Sequence, residues 1–222
     1  MSRILIVAPH PDDEVLGCGG VIARHVATSD DVYVVIVSKG APDVFQPEFV
    51  EQGRQEAAAA NKMLGTKRMF FLDFPAPRLD SVPTSTLAGA LKDVIVQVQP
   101  ATVYLPHHGD LHGDHKAVYW ATLVATRPNG GFFPGRLLCY ETSSETEWGA
   151  PPACDAFVPT VFVDVSQYLG VKLEAMKCYG SQLAPSPRAR SLAAIEALAH
   201  FRGSTIGVAA AEAFGLVREV LL

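Results

Sequence analysis

An imidazole and three carboxylates lie within five consecutive positions near the start of the chain. His10, Asp12, Asp13 and Glu14 directly follow an apolar run at residues 4–8, which is typical of a buried strand. Holding these groups together beside a core is costly unless a cation or a proton in transfer makes use of their charge. We therefore expect the active site at this end of the first strand.

A second polar cluster, at residues 106–115, follows another apolar run in the middle of the chain. The two clusters together hold five of the seven histidines. Two imidazoles and a carboxylate form the ligand set of a catalytic zinc site that keeps one position open. The residue types do not decide whether Asp12 or Asp13 would be a ligand. Asp114 could serve the site or could instead cap a helix predicted at residues 115–126.

The apolar pattern predicts a single α/β domain over residues 1–222. Nearly continuous runs of Val, Ile, Leu and Phe indicate strands that are covered on both faces, and helix-forming residues at three-to-four spacing fill the gaps between them. This alternation predicts a Rossmann-like, doubly wound, mostly parallel sheet with helices on both faces. The predicted strands are 4–8, 32–37, 69–72, 102–105, 137–141 and 161–165, and the predicted helices are 20–27, 47–64, 85–98, 115–126, 171–178 and 188–200.

This topology would bring the two polar clusters together. In open parallel sheets, ligands bind beyond the carboxyl ends of the strands where the strand order reverses, and the common reversal puts the first strand beside the fourth. Gly17, Gly19 and Gly20 follow the first cluster without the spacing of a P-loop or a dinucleotide fingerprint. We expect these glycines to allow close packing of a helix on the sheet.

Composition limits the partners of the protein. The formal net charge of −5 argues against a nucleic-acid-binding surface, so we expect a small-molecule partner. The N-terminal apolar run is too short for a signal peptide or a membrane segment, which predicts a cytoplasmic protein without membrane insertion. The Ala-rich tail at residues 206–222 predicts a terminal helix that either closes the core or forms the subunit interface of a homo-oligomer.

Two segments resemble the signature motifs of the PIG-L/LmbE family. They are Pro-His-Pro-Asp-Asp-Glu with the following Gly-Cys-Gly-Gly, within residues 4–24, and His-Gly-Asp-His at 112–115. Residues 54–56 and 179–182 resemble later segments of the family. Its members include metal-dependent N-deacetylases that act on N-acetylglucosaminyl-phosphatidylinositol and on N-acetylglucosaminyl-inositol or N-acetylglucosaminyl-malate. The resemblance implies one PIG-L/LmbE-like deacetylase domain acting on a small N-acetylated substrate.

The resemblance also implies a role for each motif residue. His10, Asp13 and His115 would hold Zn²⁺ or another divalent transition metal, because mixed imidazole and carboxylate sites discriminate weakly between such ions. Asp12 would be the general base for the attacking water. His112, in its protonated form, would stabilise the oxyanion or protonate the leaving amine. Asp114 would keep that imidazole oriented and charged.

Substrate contacts are predicted at Arg54, Glu14 and Tyr140. By the resemblance, Arg54 would hold a hydroxyl or an anionic group of the substrate, and Glu14 would also support the metal loop from behind. Tyr140 lies in the predicted strand 137–141, where its ring could stack on a sugar, with core packing as the alternative.

Two classes of function fit these residues. One is a zinc-dependent hydrolase that removes an N-acetyl group from an N-acetylglucosamine-like sugar or glycoside, or an amidase acting on a non-sugar amide. The other is a non-catalytic, metal-containing sugar-binding domain. A binding domain needs neither a base nor an acid, so the presence of Asp12 and His112 favours the hydrolase. A dehydrogenase is disfavoured because no glycine fingerprint follows the first strand.

Overall fold

A computed structural model describes residues 1–129, 131–149 and 153–221. Within these ranges, seven strands form one sheet and six α-helices pack against it. The strands are β1 (Arg3–Ala8), β2 (Asp31–Gly40), β3 (Arg68–Ala76), β4 (Thr102–Pro106), β5 (Arg136–Tyr140), β6 (Val161–Asp164) and β7 (Ala211–Glu219). The helices are α1 (Asp13–Ala27), α2 (Pro47–Leu64), α3 (Thr84–Val98), α4 (Gly113–Ala125), α5 (Leu169–Lys177) and α6 (Leu192–Ser204).

The strand order is β3-β2-β1-β4-β5-β7-β6. The first five of these strands pair in parallel, whereas β7 is antiparallel to both of its neighbours. This arrangement confirms the prediction of an α/β fold with a mostly parallel sheet. It also confirms the expected neighbours, because β1 pairs with β4 and Ile6 lies opposite Tyr104. The chain order reverses at β1, so the loops after β1 and β4 leave the same edge of the sheet at its switch point.

Helices cover both faces of the sheet, as predicted. Side chains of α1, α2, α5 and α6 pack on one face, and those of α3 and α4 pack on the other. Strand β1 contributes Ile4 and Ile6 to the first core and Leu5 and Val7 to the second. Its apolar run is therefore continuous because both faces of the strand are buried. No helix in the described ranges combines the length and apolar character needed to cross a membrane.

Helix α1 starts at Asp13, seven residues before the predicted start at residue 20. The glycines that suggested a later start lie inside the helix and bring it close to its neighbours. A Cβ atom at Gly17 would lie 2.2 Å from Cδ2 of Tyr140, and one at Gly20 would lie 2.9 Å from Cβ of Val165. Close packing is therefore the reason for these glycines, as the sequence indicated. The earlier start also places Asp13 in the first turn of the helix.

The prediction of a terminal helix at residues 206–222 is wrong, because the tail supplies strand β7. Ala and Glu favour a helix in isolation, but this segment lies between β5 and β6 and forms backbone hydrogen bonds with both. Phe214 is fully buried there, and its ring packs edge-on against Tyr104 with centroids 5.0 Å apart. The buried carboxylate of Glu212 pairs with Lys172 at 2.6 Å, which offsets the cost of placing a charge inside the sheet.

Candidate metal centre and active site

The loops after β1 and β4 bring His10, Asp13 and His115 together. One ligand atom of each residue lies within 4.8 Å of the others. Asp13 Oδ2 is 3.2 Å from His10 Nδ1 and 3.2 Å from His115 Nε2. Two ligand atoms of a tetrahedral zinc ion are about 3.3 Å apart, as follows from bond lengths of about 2.0–2.1 Å. The three side chains are thus spaced to share one ion.

A carboxylate lies behind each of the two imidazoles. His10 Nε2 is 3.0 Å from Asp114 Oδ2, and His115 Nδ1 is 2.7 Å from Asp110 Oδ2. Such carboxylates fix the ring orientation and the position of the ring proton in metal sites. Asp110 is itself held by the Thr146 hydroxyl, which donates to its Oδ1 at 2.6 Å. This arrangement leaves Nδ1 of His10 and Nε2 of His115 directed to the shared position.

Two atoms of this group lack the hydrogen bonds that buried polar atoms normally make. Asp13 Oδ1 and His115 Nε2 are buried without a hydrogen-bond partner in the described part of the chain. His115 Nε2 lies 3.2 Å from Asp13 Oδ2, but this approach lacks hydrogen-bond geometry. Most buried polar atoms in proteins are paired. A divalent cation bound between these residues would satisfy both atoms. The nitrogen and oxygen donors also suit Zn²⁺, so the residues fit a catalytic metal.

For each of these three residues, burial and the neighbouring charged groups have opposite effects on the pKa. Burial by itself lowers the pKa of His10, but hydrogen bonds with Asp114 and Asp13 outweigh it and raise the pKa to about 9. Burial likewise lowers the pKa of His115, yet Asp13 and Asp110 raise it to about 10. Burial raises the pKa of Asp13, but the two imidazoles hold it well below its usual range. A divalent ion bound here would displace the imidazole protons.

Asp12 lies beside this group but makes different contacts. Its backbone has φ 111°, a conformation that costs a non-glycine residue roughly 1–3 kcal/mol. The Asp12 N–H donates to Glu14 Oε2 at 3.2 Å, and Asp12 Oδ2 accepts from Arg190 Nη1 at 2.6 Å. Burial and the charge of Asp13 raise the pKa of Asp12 to about 8, with Arg190 opposing the shift. The unusual backbone thus directs the two adjacent carboxylates to different partners.

Glu14 and Tyr140, predicted to contact substrate, lie in the core instead. Glu14 is fully buried, and its Oε1 accepts from the Tyr179 hydroxyl at 2.5 Å and from Asn61 Nδ2 at 2.8 Å. Burial raises the pKa of Glu14 to about 7, although the bond from Tyr179 opposes this. The Tyr140 hydroxyl donates to the carbonyl of Val7 at 2.9 Å. Both side chains are hydrogen-bonded inside the protein, so neither is available to contact a substrate. Glu14 instead supports the loop after β1, and Tyr140 packs in the core.

His112 caps α4, which begins two residues before the predicted start. Its Nδ1 accepts the backbone N–H of Asp114 at 3.1 Å, so a ring proton resides on Nε2. Burial and the charge of His10 lower the pKa of His112. Asp114 is therefore not the helix cap, and its carboxylate contacts His10 rather than His112. The expectation that the Asp114 carboxylate keeps His112 oriented and charged is therefore corrected. The contacts favour a neutral His112 that donates a hydrogen bond through Nε2.

A cavity of about 220 Å³ opens beside His10, Asp12 and His112. The remaining polar side chains at the cavity include Arg54, Glu145, Gln182 and Arg190. The structure therefore places Arg54 at the cavity wall, where its guanidinium lies 4.5 Å from the centroid of the Phe71 ring and pairs with Asp73.

Sequence reasoning missed two residues of this site, Arg190 and Asp110. Arg190 falls in the predicted helix 188–200, but α6 begins at Leu192 after its cap Ser191, so Arg190 lies in the preceding loop. There its Nε donates to Ser144 Oγ at 2.7 Å while Nη1 reaches Asp12. Nothing in the local sequence indicates this contact. Asp110 could have been found, since it lies five residues before His115 in the histidine-rich loop.

The role of Asp110 behind His115 can be tested through metal affinity. We expect Asp110→Asn to weaken metal binding about 10- to 100-fold, because the carboxylate orients the ligand imidazole and increases its basicity. Competition with a chromophoric chelator measures this change. Asp155→Asn is a matched control, because Asp155 is a more exposed carboxylate of a neighbouring loop. Equal affinity in the wild type and Asp110→Asn would contradict the role.

Comparisons with known proteins agree with this geometry. The family described as PIG-L: GlcNAc-PI de-N-acetylase matches residues 5–126. YaiS of Escherichia coli (strain K12), named an uncharacterized deacetylase, is 32% identical over 184 residues, which cover 80% of this chain and 90% of that protein. The diacetylchitobiose deacetylase of Thermococcus kodakarensis is 27% identical and covers 82% of this chain and 70% of its own length. The crystal structure of the conserved protein TT1542 from Thermus thermophilus superposes with a TM-score of 0.77 at 29% identity, covering 100% of this chain and 97% of that one.

Proposed function

Because the chain belongs to the PIG-L family, we propose that it is a metal-dependent hydrolase that removes an N-acetyl group from an N-acetylglucosamine-like sugar or glycoside. The products are acetate and a free amine. One observation carries this proposal: His10, which together with Asp13 and His115 could hold a metal ion, lines one cavity with the second carboxylate of Asp12 and the imidazole donor of His112. A binding domain would need the metal ligands but neither of the other two groups.

His10, Asp13 and His115 are the residues that would hold the ion, preferably Zn²⁺. When bound, the ion supplies a Lewis acid that polarises an amide carbonyl and makes water more acidic near neutral pH. Helices α1 and α4 both begin beside these three residues. The positive ends of their helix dipoles favour the negative charge that develops as an amide is attacked.

Asp12 is the group placed to accept the proton of the attacking water. It lines the cavity and its carboxylate accepts a hydrogen bond from Arg190, and among the described residues it belongs to neither group of side chains that could hold a metal ion. A general base contributes most when its pKa lies near the working pH, and burial brings the pKa of Asp12 to about 8 in the protein without a bound ion. The bond from Arg190 keeps the carboxylate at the cavity edge.

His112 would donate a hydrogen bond to the reacting amide. Its Nδ1 is engaged by the Asp114 N–H, which leaves Nε2–H available at the cavity. A neutral imidazole can hydrogen-bond to the carbonyl oxygen as charge develops on it. The proton that Asp12 takes from the attacking water is then available to the departing nitrogen, so that the C–N bond breaks with release of a neutral amine.

The polar side of the cavity suits a sugar. Arg54, Glu145 and Gln182 offer donors and acceptors to hydroxyl groups, and all three line the same space. The volume of about 220 Å³ is below the roughly 300–1,000 Å³ of typical small-molecule sites, so the enclosed part takes a group the size of one sugar ring. The names of the family and of the Thermococcus relative refer to N-acetylglucosamine compounds, which supports this substrate class.

A panel of amides tests the proposal. The zinc-loaded protein is incubated with N-acetylglucosamine, its methyl glycoside, diacetylchitobiose and N-acetylated amino acids, and the free amine and acetate are quantified. We expect equimolar amine and acetate from at least one sugar, and no product after treatment with a chelator. Turnover of the amino acid derivatives alone would replace the proposal with a non-sugar amidase. Bound metal and bound sugar without any product would replace it with a sugar-binding function.

A further inference from the structure

A buried ion pair engages the backbone of helix α1 just behind the metal site. In a regular α-helix, the N–H of Gly20 donates to the carbonyl of Leu16, four residues earlier. Here the Gly20 N–H donates to Glu212 Oε1 at 2.9 Å, and the Leu16 carbonyl accepts from Lys172 Nζ at 2.7 Å. The N–H of Val21 also donates to Glu212, through Oε2 at 2.7 Å. The ion pair thus binds backbone groups that normally pair within a helix.

The two charged residues reach α1 from distant parts of the chain. Lys172 comes from α5 and Glu212 from β7, and their Nζ and Oε1 atoms are 2.6 Å apart. The side chains are only 5% and 4% exposed. A Cβ atom at Gly19 would lie 2.8 Å from Lys172 Cγ, so this glycine leaves room for the lysine stem. An apolar pair of similar volume is often at least as stable as a buried ion pair, so stability alone does not explain these charges.

One helical turn connects the ion pair to the site. Leu16 is three residues after Asp13, and its N–H donates to the Asp12 carbonyl at 2.9 Å. The same residue therefore contacts Lys172 through its carbonyl and Asp12 through its N–H. Side chains that enter the hydrogen-bond ladder of a helix change its direction. The ion pair is thus placed to set the direction of the turn that carries Asp13.

We propose that Lys172 and Glu212 are positioning residues for the metal centre. They hold the first turn of α1 at the angle that brings the Asp13 carboxylate to the imidazoles of His10 and His115. This inference rests on the metal site of the proposed function, but it does not depend on which amide is hydrolysed. It also gives the buried charges a role that an apolar pair could not fill, because only polar groups can bind the helix backbone at this point.

The double variant Lys172→Met/Glu212→Leu separates positioning from stability. It leaves no unpaired charge in the core, so we expect it to fold and to keep an unfolding temperature close to that of the wild type. The N–H of Gly20 and the carbonyl of Leu16 can then bond to each other, which straightens the helix and moves Asp13. We expect Zn²⁺ to bind about tenfold more weakly, as measured by competition with a chromophoric chelator.

A spectroscopic readout distinguishes positioning from a general loss of stability. The visible absorption of bound Co²⁺ depends on its coordination geometry, so the spectrum of the double variant should differ from that of the wild type. Arg202→Met/Glu141→Leu is the matched control, because it removes a partly buried ion pair that joins α6 to the residue after β5. The control should keep both the affinity and the spectrum. Wild-type affinity and spectrum in Lys172→Met/Glu212→Leu would overturn the inference.

A pair of glycine substitutions tests the same contact without removing a charge. Gly19→Ala places a methyl group against the Lys172 stem and 3.1 Å from Val15 Cγ1, whereas a Cβ atom at Gly89 in α3 would have no atom within 4 Å. Alanine favours a helix over glycine at both positions. We expect Gly19→Ala to weaken Zn²⁺ binding severalfold and Gly89→Ala to leave it unchanged. Equal affinities of these two variants would contradict positioning through Lys172.

A crystal structure of the double variant without added metal tests the inference independently of metal binding. In the wild type, Asp13 Oδ2 lies 3.2 Å from both His10 Nδ1 and His115 Nε2. We expect this oxygen to move by more than about 0.5 Å, the tolerance within which site residues must be held. An unmoved Asp13 would overturn the inference. Failure of the wild type to bind Zn²⁺ would instead overturn the proposed function, so the two failures are distinguishable.

Discussion

Replacing Asp12 with Asn is expected to lower kcat about 10²- to 10⁴-fold, the range that a general base contributes, and to leave the metal content unchanged. The amide keeps the size of the carboxylate and can still accept the Arg190 bond through its oxygen, but it cannot take a proton at neutral pH. The three ligand atoms of His10, Asp13 and His115 are not altered by the change. Steady-state kinetics combined with metal analysis of the same sample measures both quantities.

The stability of the Asp12→Asn variant is informative as well. Burial and the charge of Asp13 raise the pKa of Asp12 to about 8, which means that the folded protein without an ion disfavours the charged carboxylate. A neutral amide should therefore not reduce the unfolding temperature. Asp13→Asn is the matched comparison, because its carboxylate contacts both ligand imidazoles and its loss should release the ion. If Asp12→Asn instead lost the ion and kept its rate per bound ion, the two aspartates would have exchanged roles.

The sequence predicts the sheet and the place of the site because their signals are local. The run Ile4–Leu5–Ile6–Val7 alternates between two cores, and this double burial requires an apolar residue at every position. Once β1 and β4 are identified, the general order of parallel sheets brings His10 and His115 together. The convergence of the two polar loops was thus predictable from strand identity and topology.

Contacts that depend on tertiary packing were not predictable in this way. The tail forms β7 because β5 and β6 leave a gap between them, whereas its composition favours a helix. Tyr140 faces the core because Gly17 leaves room for its ring. Glu14 faces the core because the Tyr179 hydroxyl donates a hydrogen bond to its carboxylate. No periodicity in the sequence records such pairings, since each partner lies far away along the chain.

Arg190 is the clearest case of such a long-range contact, since it reaches Asp12 across 178 positions of the chain. We infer that it positions the base. Its guanidinium engages Asp12 through Nη1 and the Ser144 hydroxyl through Nε, which fixes the carboxylate in one orientation at the cavity edge. Asp12 also has a strained backbone. The contact with Arg190 would therefore hold the Asp12 carboxylate beside the position that the attacking water must occupy.

Arg190→Gln is therefore expected to lower kcat about 10²-fold, the size of loss that a displacement near 1 Å can cause, with a smaller change in KM and full metal content. Arg190 opposes the rise in the pKa of Asp12, so its removal raises that pKa further and moves the acidic limb of the kcat profile to higher pH. Guanidinium added to Arg190→Ala should restore part of the rate. Arg188→Gln, an exposed arginine of the same loop, is the control. A purely structural role for Arg190 would reduce the folded fraction but leave the pH profile of the remaining activity in place, and that outcome would rule out positioning of the base.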